Sequence, residues 1–279
     1  MADKIAVMRR VMAYEVNSGK LTYEFTLTPS IGFLGSPDPL LTDCELLISF
    51  DRTKAQNVLL EHAIVPDADK PVDDYIKIND CMAITEWVSS QSLRDHFMTI
   101  ENNPILYEFD DCEMYIKNIP ASSTCIRFDN IRGGNVPEYI FAGITSQSLS
   151  KGDYAKSSTC FQQANVSEFN ITLNGSSVGG YPIEIKNGCP VYPLQKFLDV
   201  TNRYYNIQCG ESMSATKFGY NFLWSHKFEG EVTPQGWLGI NLKLSEAFTD
   251  ENPMCLVIWV IAKNAISVDK FHQIQKINL

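Results

Sequence analysis

From Trp237 to Ala262 the apolar positions change their rhythm halfway along. Leu238, Ile240, Leu242 and Leu244 alternate with Gly239, Asn241, Lys243 and Ser245. Period-two alternation puts one set on a buried face and the other towards water, so this stretch predicts a half-buried strand. Leu256 to Ile261 is instead an unbroken apolar run rich in β-branched residues. It is too short to span a membrane as a helix, and a strand buried on both faces fits it best. Asp250, Asn252 and Pro253 between the two runs are turn formers. The pattern predicts a long antiparallel hairpin at the heart of an all-β domain, and the period argues against a pair of short buried helices.

The rest of the chain reads mostly as further strands. Met1 to Gly19 carries a weak apolar signal that fits a short helix or an arm. Tyr23, Phe25 and Leu27 alternate with threonines and Glu24, a strand that ends at Pro29. Residues 30–43, with Gly32, Gly35, Pro37 and Pro39, make a long loop. Cys44 to Asp51 alternates again, Val58 to Val65 is a weaker strand, and Pro66 to Asp74 is an acidic surface loop. Tyr75 to Val88 and Leu106 to Ile119 are extended, with a short helix between them over Ser92 to Ile100. Cys125 to Phe128 and Tyr139 to Ile144 predict short strands separated by a Gly133-Gly134 loop. Residues 145–165 form a long polar excursion. Phe169, Ile171 and Leu173 mark a strand that runs into Asn174-Gly175, the strongest turn signal in the chain. Leu194, Phe197, Leu198 and Thr201 give one good helical stripe, starting after Pro193. Gly219 to Phe228 is an aromatic strand, and Ile266 and Val268 suggest a last short strand before a polar tail.

About ten strands and two or three short helices, without β-α-β alternation, predict an antiparallel jelly-roll β-sandwich with long loops. The domain reading is an N-terminal arm or linker over 1–20 and a single jelly roll over 21–279. No repeat of solenoid or propeller period occurs.

The chain has 279 residues, of which 44% are hydrophobic, enough for a sizeable core. Its net charge of −10 and the absence of any Lys/Arg run longer than Arg9-Arg10 argue against a nucleic-acid surface. The eight cysteines form no C-x-x-C pair and read as reduced and structural. Residues 1–20 lack a signal-peptide core, so the Asn165, Asn170 and Asn174 acceptor patterns read as coincidence in an Asn/Ser-rich stretch. The four histidines, His62, His96, His226 and His272, are scattered, so a cupin-type metal cluster is missing. Glu108, Asp110 and Asp111 form an acidic knot that reads as a solvated strand end rather than an acid–base pair. There is no phosphate loop and no nucleophile elbow. No cofactor, metal or catalytic residue is expected, and no enzyme.

Several motifs occur in a familiar order. Phe128-Asp129-Asn130 is followed by Gly134, Val136-Pro137 and Phe141-Ala142, then by Gly152, Tyr154 and Phe161. Phe169 to Gly175, Lys217 to Phe222, Gly236 to Leu244, Leu256 to Ala262 and Ile266 to Lys270 come next. This series resembles the C-terminal jelly roll of the hexon-like double jelly-roll major capsid proteins of Polinton/Maverick elements and related DNA viruses. Upstream, Tyr23 to Leu27, Phe33-Leu34, Leu40 and Leu46 to Arg52 resemble the opening strands of the same roll. Two departures stand out. Subunits of that lineage are longer, and the first jelly roll has no counterpart here. The stretch Phe222-Leu223-Trp224-Ser225-His226 also replaces the family's Phe-Asp-Leu-Thr-Pro. The chain is open to reading as a fragment, a domesticated copy or a single-roll protein.

The resemblance implies a structural capsid or capsid-derived protein, located in the virion and folded in the host cytoplasm or nucleus. Its partners would be itself, as a trimer or lattice, and other capsid proteins, without specific nucleic acid and without membrane insertion. Tyr154, Phe161 and Tyr181 lie inside polar excursions, where a monomer gains little from them, and are the candidate subunit contacts. The competing expectation for each ring is that it folds back onto its own sandwich. The alternative function is a jelly-roll binding module for carbohydrate or protein, using loops 145–165 and 175–193.

Overall fold

A computed structural model describes residues 13–17, 20–24, 104–148, 160–185, 190–201, 218–219, 222–229, 235–269 and 273–278. The strands predicted at Cys44 to Asp51, Val58 to Val65 and Tyr75 to Val88 lie outside the described residues, as does the helix at Ser92 to Ile100.

Two antiparallel sheets face each other. The first contains β4 (Cys125–Asn135), β10 (Gln235–Leu244) and β6 (Val166–Leu173), with β7 (Ser176–Ser177) and β8 (Ile183–Glu184) both on the far side of β6. The second centres on β11 (Met254–Val268). β3 (Ile105–Asn118) pairs along one side of β11, while β5 (Tyr139–Ser146) and β12 (Ile274–Asn278) share the other. β9 (Trp224–Lys227) completes this sheet beside β5. From β3 to β11 the chain crosses to the opposite sheet at each step, with β6 to β8 counted as one visit. This is jelly-roll wiring, and residues 105–268 supply every strand position in it. A separate two-stranded sheet joins β1 (Ala13–Asn17) to β2 (Lys20–Glu24).

The alternation read over Leu238 to Leu244 is present, with all four leucine and isoleucine positions buried and Lys243 exposed. The expected hairpin is not. β10 and β11 lie in different sheets and face each other across the core. Each is already flanked on both sides, β10 by β4 and β6 and β11 by β3 and by β5 with β12. No ladder edge remains on either for the other to use, so the connection at 245–253 spans between sheets.

The inner face of β11 places Met254, Leu256, Ile258 and Val260 in the main core. Its outer face packs Cys255 and Val257 against Phe161, Leu223 and Trp259. The unbroken apolar run is therefore a strand covered on both faces. Across the interior, Trp224 of β9 stacks on Phe169 of β6, with centroids 4.4 Å apart and planes 5° from parallel. Phe222 meets Trp224 edge-on at 4.7 Å, and Phe218 lies 5.0 Å from Phe222.

Other boundaries differ from the sequence pattern for local reasons. β4 runs straight through Gly133-Gly134, because β10 pairs Trp237 with Gly133 and Gly236 with Gly134. A register shift between Leu238 and Ile240 absorbs the irregularity there. Ile266 and Val268 end β11 rather than forming a strand of their own, and the polar tail supplies β12. The region read as a helix or arm contains β1. Tyr23 belongs to the two-stranded sheet, where it pairs with Tyr14, and residues 25–27 of the strand predicted there lie outside the described residues. α1 (Val191–Val200) starts three residues before the predicted start at Leu194. Pro193 then sits in its first turn, where a missing N–H breaks no helical bond. The Asn174-Gly175 turn forms as read, with φ of 53° and 80°, values that suit a type I′ hairpin and favour Asn and Gly.

Leu242 is 2% exposed in the middle of β10. Leu242→Asp should abolish soluble folding, since an unpaired carboxylate there costs about 3 kcal/mol or more. Lys243→Gln, one residue on and facing water, should melt like the parent. Thermal denaturation followed by circular dichroism checks the pair, and equal behaviour of the two variants contradicts the register.

Candidate functional site

One group of charged and polar side chains gathers where β3 meets β4, β11 and β12. Alternation along β3 turns Asp111, Glu113 and Tyr115 to one face and Glu108 and Asp110 to the other, so the acidic knot of the sequence is split by the strand. Glu113, Tyr115, Arg132, Asn264 and Lys276 line a cleft of about 510 Å³. Glu113 Oε2 accepts from the Tyr115 hydroxyl at 2.5 Å and from Arg132 Nε at 3.0 Å. Arg132 also donates to the carbonyl of Asn135. Asp111 Oδ2 accepts from Asn264 Nδ2 at 2.7 Å and from Lys276 Nζ at 2.9 Å. Arg132 thus ties β4 of one sheet to β3 of the other. Burial, followed by the bond to Glu113, pushes the Tyr115 hydroxyl up to about 12. Each of these carboxylates faces a cation: the Glu113–Arg132 pair clasps the two sheets, and the Asp111 contacts tie β3 to β11 and β12 within one sheet.

His226 occupies an aromatic box on β9. Its ring meets Phe228 at 4.7 Å and Tyr181 at 5.6 Å, both edge-on. It is 6% exposed and its Nε2 has no hydrogen-bond partner among the described residues. Burial, with a smaller effect from Lys196, lowers its pKa from 6.5 to about 4. A neutral imidazole is what this box holds.

The three candidate contact residues fare differently. Tyr154 lies outside the described residues. Phe161 is buried at 7% exposure and meets Trp259 edge-on at 5.3 Å. Its ring lies over Gly143, where an added Cβ would come within 2.6 Å of Phe161 Cδ1. The segment is pinned by Gln162 N to Ile144 O at 2.8 Å and Phe222 N to Phe161 O at 3.0 Å. Tyr181 is 8% exposed, and its hydroxyl donates to the Ser225 carbonyl at 2.8 Å. Both rings fold back onto their own sandwich, the second of the two expectations. The reason is that β9 and the outer face of β11 carry apolar side chains that need covering. Large apolar side chains are exposed elsewhere, at Leu106, Met114, Ile116, Val191, Tyr192 and Trp237. The signal for the β3 residues was in the sequence. Near its end both faces of β3 carry apolar side chains, Met114 and Ile116 on one and Tyr115 on the other.

Among the described residues, no group of three or more His, Cys, Asp or Glu side chains could hold a metal. Of the histidines only His226 is described. Cys112 and Cys125 are exposed unpaired thiols, Cys160 is half-buried, and Cys255 is fully buried. Among the same residues no helix is long and apolar enough to cross a membrane.

No family profile matches the sequence, and comparison with curated proteins gives no match. Among solved structures, the chain is similar to one in the cryo-electron-microscopy structure of the Sputnik virophage, at 10% identity and a TM-score of 0.38, over 63% of this chain and 39% of that one. It is similar to one in the quasi-atomic PBCV-1 virus capsid, at 12% identity and a TM-score of 0.36, over 66% and 54%. It is also similar to the mavirus major capsid protein, at 11% identity and a TM-score of 0.37, over 69% and 44%. The chain thus spans about two fifths to half of the length of these proteins.

Two outcomes follow from the site. His226 is held neutral in the fold, while the unfolded chain binds its proton below pH 6.5. Its contribution to stability is therefore complete above pH 6.5 and lost as the pH falls through about 4. Urea midpoints measured between pH 7 and 4 should fall, and His226→Phe should flatten that part of the profile. Arg132→Met leaves Glu113 with only Tyr115 and should cost about 1–2 kcal/mol. A denaturant titration that places Arg132→Met level with the parent contradicts the clasp.

Proposed function

We propose that the chain is a structural protein of a viral or virus-derived shell, which works by packing against further copies of itself and other shell proteins. The observation that carries this reading is the distribution of apolar surface on a finished roll. Met114 and Trp237 are each 58% exposed and Ile116 is 46% exposed, although the interior holds Trp224, Phe169, Phe218 and Phe222 fully buried. Isolated exposed apolar residues are ordinary, but Met114 and Ile116 are neighbours on one face of one strand. The sequence resemblance to hexon-like capsid proteins supports the same reading. The charged cleft supports it too, since its carboxylates are engaged by Arg132 of the facing sheet and by Lys276 of their own. The action needs no cofactor and no catalysis, and its place would be the virion. With Phe161 and Tyr181 folded inward, the contacts fall to the exposed side chains of β3, β10 and α1.

Light scattering and negative-stain microscopy of the purified chain test this. The expected result is trimers or larger closed particles as concentration rises. A chain that stays monomeric at every concentration, and binds glycans on an array, contradicts it and favours a binding module.

A further inference from the structure

The edge of β3 divides into two unlike halves. Among the described residues β3 pairs on one side only, with β11, from Val268 opposite Ile105 to Cys255 opposite Asn118. Among the same residues no strand pairs with its other side over Met114 to Asn118, an edge that a further strand can approach. The first half is defended by charge, with Glu108, Asp110, Asp111 and Glu113 close together. The second half, Met114 to Asn118, carries one charge, Lys117, with Met114 and Ile116 exposed on its outer face.

We infer that this second half of β3 is a two-fold contact, in which β3 of one copy pairs antiparallel with β3 of a second copy about Tyr115. The inference rests on the self-assembly reading and names its surface. The argument is charge complementarity. A two-fold axis perpendicular to the sheet keeps the outer faces on one side, so residues of the same parity stand opposite each other. Centring on Cys112 sets Asp111 against Glu113, and centring on Glu113 sets that carboxylate against itself. Like charges directly opposite are unfavourable. Centring on Tyr115 sets Lys117 against Glu113 twice and Met114 against Ile116 twice. It also continues the outer face of the sheet, where Trp259 and the buried Val257 stand opposite Met114 and Ile116 within the chain. The nearest rival register, centred on Met114, sets Lys117 against Asp111 but leaves Ile116 opposite Cys112. A two-fold joins pairs, so this contact adds to a three-fold ring rather than replacing it.

The native Cys112 is an exposed thiol and serves as the reporter. In the Tyr115 register it stands opposite Asn118 of the second copy. Within one chain the two positions are about 20 Å apart along the strand and cannot bridge. Asn118→Cys in the full chain should therefore give a disulfide-linked dimer under mild oxidation, well above the parent's background, while Ile116→Cys should not. Lys117→Glu should weaken self-association by about tenfold or more in sedimentation velocity, since it sets carboxylates opposite one another. A dimer from Ile116→Cys but not from Asn118→Cys overturns the register. An assembling parent with neither cross-link, unchanged by Lys117→Glu, overturns the contact and leaves the self-assembly reading standing. A parent that is monomeric at every concentration overturns both.

Discussion

The structure depends on one requirement, that β11 be covered on both faces. A strand with Leu256, Ile258 and Val260 inward and Cys255 and Val257 outward has no side to give to water. Burying an aliphatic side chain stabilises by about 1.5–3 kcal/mol, so the run rewards whatever covers it. β10 and β6 of the facing sheet, with the Phe169–Trp224 stack, close the inner face. Phe161 and Leu223 close part of the outer one. That outer cover is why a ring from a polar excursion ends inside its own chain. Farther along the outer face, at β3, no described segment covers Met114 and Ile116.

Strand identity was legible in the sequence, while strand partnership was not. Leu238 to Leu244 and Phe169 to Leu173 announce their inward faces by alternation, and Asn174-Gly175 announces its turn. Pairing depends on which edges other strands have already taken, which one segment cannot record. β10 and β11 look like a hairpin because they are adjacent in sequence, yet β4 and β6 occupy one and β3, β5 and β12 the other. Gly133 and Gly134 lie inside a strand for a related reason. Their loop signal is local, and the ladder to Gly236 and Trp237 outweighs it.

The chemistry divides the same way. The sequence shows scattered histidines and a bare acidic knot, and the fold explains the knot by strand parity. Asp111 turns towards Asn264 and Lys276, while Glu108 and Asp110 turn outward. Arg132 reaches Glu113 across the two sheets, a contact between positions 19 apart in sequence that no motif marks. Tyr181 could not be placed from its surroundings of Gly, Ser and Pro. Its fate is set by the carbonyl of Ser225, 44 residues later.

The central claim is that this roll works through surface that further copies cover. Hydrogen–deuterium exchange measured over a wide range of protein concentration tests it most directly. The account predicts that the amides of Met114 to Asn118 become slower to exchange as concentration rises, while those inside β10 do not change. Exchange over β3 that is the same at every concentration, in a chain that remains folded, contradicts it.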